Sequence, residues 1–215
     1  MTESDVLVPG GRDVRGTLTE PDEEATTIVV ACPPHPQHGG SRSDSRLVAV
    51  AERLQENGIA CLRFDYGAWD NGYGEREDVR NAIRWAGDHY ERVGLFGFSF
   101  GASLSLLAAA SIDVTIIAVA ALAPTARLGP DDDLDAAAAL ESLECPVQIV
   151  VGERDTTAAW EPVVERAQEL ADEKETGSED EIEVITLSAD HFFVGQTDTV
   201  AETVGPFLES AFRME

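Results

Sequence analysis

Residues Val93–Ala110 read VGLFGFSFGASLSLLAAA, and their reading decides the fold. Val93–Phe98 is an apolar run with the length of a buried strand, whereas Ala102–Ala110 is built from alanine and leucine, which favour helix. Between them stands Gly97-Phe98-Ser99-Phe100-Gly101, a G-x-S-x-G pattern at a strand-to-helix junction. A turn that sharp strains its central residue. Glycine two positions to either side removes Cβ atoms that would collide across it. An inert Gly/Ser loop is the alternative reading, and the rest of the chain weighs against it.

Downstream, Ser103–Ala123 is almost entirely small or apolar and long enough to imitate a membrane span. Asp113 lies at its centre, where a carboxylate costs roughly 3 kcal/mol in a bilayer. The composition also changes there from Ala/Leu to Val/Ile. A helix followed by a buried strand, Val114–Leu122, fits better.

The same alternation continues in both directions. Upstream, Val6–Val8 and Arg15–Thr19 flank Pro9-Gly10-Gly11 as an antiparallel hairpin. The strand Thr27–Cys32, the helix Ser45–Asn57, the strand Ile59–Phe64 and a helix with Val79, Ile83, Ala86 and Tyr90 on one face come next. Beyond Leu122 come a short helix over Asp135–Leu143, the strand Val147–Val151 and a helix marked by Trp160, Val163, Val164, Ala167 and Leu170. Last are the strand Ile182–Leu187 and a closing helix lined by Val200, Val204, Phe207 and Leu208. Near-continuous β-branched runs between amphipathic helices predict a mostly parallel sheet of about eight strands, covered on both faces as an α/β/α sandwich. Residues 1–215 read as a single domain, with ligands expected outside the carboxyl ends of the strands.

Charge narrows the partners. The chain carries 41 Asp+Glu against 15 Lys+Arg, a net charge of −26, with Lys174 its one lysine. Such a field repels nucleic acid and anionic membranes. Regular apolar periodicity argues against disorder. A folded protein of a high-salt cytoplasm is the expectation, because dense salt screens the repulsion between surface carboxylates. The acidic stretches Asp131–Asp135 and Asp172–Glu183 read as solvated loops. The opening residues, MTESDVLVPGG, lack the basic and apolar regions of a secretory signal, so a soluble cytoplasmic protein is expected. Cys32, Cys61 and Cys145 lie in or beside apolar runs without metal-ligand or disulfide spacing.

A serine hydroxyl needs a base to become a nucleophile. Of the four histidines, His191 follows the last strand in Ala189-Asp190-His191-Phe192-Phe193, at the carboxyl edge. His89 lies in a helix and reads as a surface residue. Asp155, just past Val147–Val151 in Gly152-Glu153-Arg154-Asp155, is the candidate that orients the base, with Glu153 and Asp190 as competitors. Along the chain the three come in the order Ser99, Asp155, His191, the order that accompanies a G-x-S-x-G turn on such a sheet. Two backbone N–H groups must meet the oxyanion that forms. Phe100, at the helix start, offers one. His35 offers the other, as the first residue after Cys32 that is not proline. The His35 and His38 imidazoles lack a third ligand, so no metal is expected. Tyr66, Trp69, Trp160, Phe192 and Phe193 follow strand ends and are candidates to line an apolar pocket.

GFSFG, GERD and ADHFF, each at its strand end, resemble the α/β-hydrolase superfamily. Pro34-His35-Pro36-Gln37-His38-Gly39-Gly40, Arg63-Phe64-Asp65-Tyr66 and Gly72-Tyr73-Gly74-Glu75 are similar to its small dienelactone-hydrolase-like branch. The resemblance spans essentially the whole chain. It implies hydrolysis of esters, thioesters or lactones through an acyl-enzyme on Ser99, His191 and Asp155, with no cofactor and a small-molecule acyl substrate. Dienelactone hydrolases carry cysteine where Ser99 stands, which argues against that particular activity. An acyltransferase or thioesterase on the same residues, or a binding protein that retains the fold, are the alternatives. The short interval between Leu122 and Val147 leaves no room for a cap domain.

Overall fold

The computed structural model describes residues 2–173 and 181–213. Among these, ten strands and six helices alternate: β1 (Thr2–Val8), β2 (Val14–Glu20), β3 (Thr27–Cys32), α1 (Ser45–Gln55), β4 (Ala60–Asp65), α2 (Tyr73–His89), β5 (Arg92–Phe98), α3 (Phe100–Ala109), β6 (Ile116–Leu122), β7 (Arg127–Leu128), β8 (Leu134–Asp135), α4 (Ala136–Ala139), β9 (Val147–Gly152), α5 (Glu161–Glu173), β10 (Ile182–Leu187) and α6 (Thr197–Ala211). Eight strands form one sheet in the order β1-β2-β4-β3-β5-β6-β9-β10. The β1–β2 hairpin joins β4 antiparallel and all remaining pairs of this sheet are parallel. The predicted sandwich is therefore the observed one, with β5 central and its carboxyl end free for a site.

Apolar runs that look continuous in sequence divide by strand periodicity in space. Ile28, Val30 and Leu95 point into the layer under α2, α3 and α5, beside Val79, Ile83, Leu104 and Val163. Val29, Ala31 and Phe96 point to the opposite layer, against Leu47, Val50 and Leu54 of α1 and Val200, Val204 and Leu208 of α6. Each large apolar side chain removed from water contributes about 1.5–3 kcal/mol. α3 is buried from Phe100 through Ala108, so it has no polar stripe, which explains its resemblance to a membrane span. Asp113, between α3 and β6, is 88% exposed. No helix among the described residues is long and apolar enough to cross a membrane.

Several expectations change: Trp160 precedes α5, and the helix expected over Asp135–Leu143 is the short α4 followed by a 3-10 turn over Leu140–Ser142. Tyr90 lies past the end of α2 with extended backbone. Asp131–Asp135 is not simply a solvated loop. β7 and β8 pair as a small hairpin around it; Leu134 is buried and Asp135 caps α4 by accepting the Ala138 N–H at 2.9 Å. The pairing is too short to leave a periodic signal. In the second acidic stretch Asp172 and Glu173 end α5, Ile182 and Glu183 begin β10, and positions 174–180 lie outside the described residues.

Candidate active site

β5 delivers Ser99 to the carboxyl edge with φ 55° and ψ −117°. Such a conformation costs on the order of 1–3 kcal/mol and persists because the surroundings enforce it. The Ser99 N–H donates to Leu122 O at 2.8 Å. A Cβ at Gly97 would lie 2.3 Å from Gly101 O, and one at Gly101 would lie 2.2 Å from Cys32 O. Glycine at both positions lets α3 start directly against the end of β3.

Ser99 Oγ lies 2.9 Å from His191 Nε2, and His191 Nδ1 lies 2.7 Å from Asp155 Oδ2. A carboxylate facing Nδ1 selects the tautomer with the proton there, leaving Nε2 to accept from the serine. The other carboxylate oxygen, Oδ1, accepts the N–H groups of Thr157 (2.8 Å) and Ala158 (3.1 Å). His191 and Asp155 are both buried, with the Phe98 and Phe192 rings 5.4 and 5.2 Å from the imidazole. Of the three candidate acids, Asp155 alone meets the base. Glu153 is exposed, and Asp190 turns its carboxylate to the Phe192 N–H at 3.0 Å. His89 is exposed and stacks on Trp85.

Phe100 occupies the first position of α3, where an N–H has no acceptor within its own helix. Its ring lies 4.8 Å from that of His35. The His35 loop is a single 3-10 turn over Pro36–His38. The carbonyl of His35 accepts the N–H groups of His38 and Gly40, and its Nδ1 accepts that of Gln37 at 3.3 Å. Burial, then the neighbouring His38, holds the His35 imidazole below its ordinary pKa, against an opposing pull from Glu75. His35 and Phe100 both line the cavity in front of Ser99.

An open cavity of about 520 Å³ lies in front of Ser99, lined by His35, His38, Asp44, Arg46, Phe98, Phe100, Thr125, Leu128, Thr157, His191 and Phe192 among others. Phe192 is thus where the sequence suggests. Tyr66, Trp69, Trp160 and Phe193 are not among the lining residues. Tyr66 is buried and donates to Pro33 O at 3.0 Å. Trp69 packs behind His35 and Phe100, with ring centroids at 4.6 and 5.8 Å. The Trp160 indole N–H donates to Asp155 O at 3.2 Å, and Phe193 is buried. Tyr66, Trp69 and Trp160 pack against neighbouring loops instead of lining the cavity, and Phe193 joins the core layer under α1 and α6. Two buried carboxylates hold the Trp69 loop. Glu75 accepts the N–H groups of Asp70 (2.7 Å) and Gly72 (2.8 Å). Asp78 accepts that of Gly67 (2.9 Å) and the Nε–H of Arg12 (2.6 Å). Burial raises the Asp78 carboxyl, partly offset by Arg12. Asp44, Arg46, Thr125 and Leu128 are cavity residues that sequence reasoning missed. Only the place of Asp44 at the start of a helix after the His35 loop hinted at any of them.

The fold and this edge together define an α/β-hydrolase-type sandwich without a cap domain. Solved structures with this architecture include an α/β serine hydrolase homologue from Coxiella burnetii (28% identity, 97% of this chain and 98% of that one, TM-score 0.79). They also include XC6422 from Xanthomonas campestris, an α/β serine hydrolase without a lid (20% identity, 98% and 94%, TM-score 0.74). A dienelactone hydrolase from Anabaena variabilis is similar as well (24% identity, 98% and 96%, TM-score 0.72). No family model matches the sequence, and no curated protein matches it.

Proposed function

We propose that this chain is a serine hydrolase that cleaves small carboxylic esters, or chemically related thioesters and lactones, through an acyl-enzyme on Ser99. The carrying observation is the continuous hydrogen-bonded series Ser99–His191–Asp155, opening on one cavity. In the first half-reaction His191 Nε2 takes the hydroxyl proton as Ser99 Oγ attacks the carbonyl carbon. Asp155 steadies the imidazolium, and the N–H groups of Phe100 and His35 meet the oxyanion. The imidazolium then protonates the leaving group. A water, deprotonated by the same Nε2, releases the acid. The open cavity favours water as acceptor over the acyltransferase alternative. Its charged lining pair, Asp44 and Arg46, is mutually neutralised, which suits a neutral substrate.

The net charge of −26 supports a high-salt cytoplasmic setting for this activity. A fluorophosphonate probe tests the chemistry. Wild type is expected to label and to hydrolyse p-nitrophenyl esters, and Ser99→Ala to do neither. Equal labelling of Ser99→Ala would remove the proposed nucleophile.

A further inference from the structure

Arg46, in the first turn of α1, takes no part in the reaction just described, yet its guanidinium touches the neighbours of both reacting residues. Nε donates to Asp44 Oδ1 at 2.8 Å and Nη2 to Asp44 Oδ2. Nη1 donates to the backbone carbonyl of Phe192 at 2.5 Å, and the guanidinium carbon stands 4.2 Å over the Phe98 ring. Phe192 directly follows His191; Phe98 directly precedes Ser99. The two side chains are largely buried, at 15% exposure for Arg46 and 8% for Asp44.

We infer that Arg46, aimed by Asp44, is a positioning residue that holds His191 within reach of Ser99 through the Phe192 carbonyl. This rests on the hydrolase reading. The chain before His191 is fixed by β9, since Ala189 O accepts the Arg154 N–H at 2.9 Å and the segment presses directly on Gly152. The chain after it is anchored in the core by the buried Phe193 and by Gln196 Nε2, which donates to Ser188 O at 3.1 Å, but it is otherwise open. Phe192 and Val194 are 52% and 76% exposed, Phe193 and Gly195 have positive φ, and the Phe193 and Gln196 N–H groups bond back within the same loop. Arg46 adds a tie from this side of His191 to α1. Its charge is already paired with the Asp44 carboxylate through two hydrogen bonds, so it is poorly suited to bind a substrate anion. A planar fork that bonds two partners while stacking on a ring is specific to arginine; lysine is a flexible point donor.

The test uses full-length wild type, Arg46→Ala, Arg46→Lys and Asp44→Asn on a short neutral p-nitrophenyl ester. kcat and KM are measured separately, alongside the fluorophosphonate labelling rate and Tm. Displacing a catalytic group by an ångström costs up to about 10²-fold. We expect kcat and labelling to fall together by about tenfold or more in Arg46→Ala, with KM changed less than about threefold, as for an effect on the reacting geometry. Millimolar guanidinium should restore part of kcat in Arg46→Ala, whereas methylammonium should not, and neither should act on Ser99→Ala. Arg46→Lys and Asp44→Asn should fall between, and they carry the test if Arg46→Ala does not fold. A folded Arg46→Ala with wild-type kcat overturns the inference. So does a loss confined to KM, or a kcat loss that tracks Tm and resists guanidinium. A wild type that neither labels nor hydrolyses removes the hydrolase reading and this inference together; an active wild type with an unaffected Arg46→Ala removes this inference alone.

Discussion

Replacing Asp155 by asparagine changes one oxygen to nitrogen in a side chain that is fully buried, and the surrounding hydrogen bonds dictate the consequences. The two backbone donors at Oδ1, from Thr157 and Ala158, require an acceptor there. The asparagine oxygen must therefore take that place, and its NH₂ must face His191 Nδ1. Two donors cannot share that contact, so the imidazole moves its proton to Nε2. Nε2 then presents N–H to Ser99 and can no longer accept the serine proton. The fold should survive, because shape and both backbone bonds are kept. Turnover should not: the wrong tautomer costs up to about 10⁴-fold, equivalent to about 5.4 kcal/mol of transition-state stabilisation. The assay is kcat/KM on a p-nitrophenyl ester, with circular dichroism confirming the fold. Glu153→Gln and Asp190→Asn, whose carboxylates do not reach the base, should stay within about tenfold of wild type. Should Asp155→Asn keep near-normal turnover while Asp190→Asn is crippled, the assigned acid is wrong, although Ser99 and His191 would stand.

Gly101→Ala places a methyl group 2.2 Å from Cys32 O, a backbone atom that cannot move aside; about 3 kcal/mol of stability should be lost, lowering Tm by about 6–12 °C, and an unchanged Tm would contradict the close α3–β3 approach. At 0.01 M salt the Debye length reaches about 30 Å, against about 3 Å at 1 M. The charge of −26 should then lower Tm sharply on dialysis and molar salt should restore it; a salt-independent Tm would remove the high-salt reading. His35 is held below its ordinary 6.5, first by burial and then by His38, so between the folded and unfolded values the unfolded chain binds the extra proton. Stability attributable to this group should fall as pH drops from 6.5 toward the folded value. His35→Gln should flatten the Tm–pH curve in that window, and an unaltered slope would show that His35 does not titrate there.

Much of this molecule is legible in its sequence. The order of strands and helices follows from apolar periodicity, which is local. Residues such as Val29 and Val30 need only their neighbours to declare a strand buried on both faces. Ser99 is legible because the glycines at 97 and 101 answer a steric demand inside a few residues, and His191 because it follows the last strand. What sequence left open lay in side-chain direction. Three carboxylates, at 153, 155 and 190, sit at the same edge, and their order along the chain does not say which faces the imidazole. That depends on how the turn after β9 curls so that Thr157 and Ala158 donate back to Asp155. Tyr66, Trp69 and Trp160 follow strand ends as pocket residues do, but tertiary packing set them against neighbouring loops instead. Arg46, at the start of an ordinary amphipathic helix, meets the carbonyl of Phe192 across a separation of 146 residues. No local pattern encodes such a contact, because it exists only once α1 and the His191 loop have been brought to the same edge of the sheet.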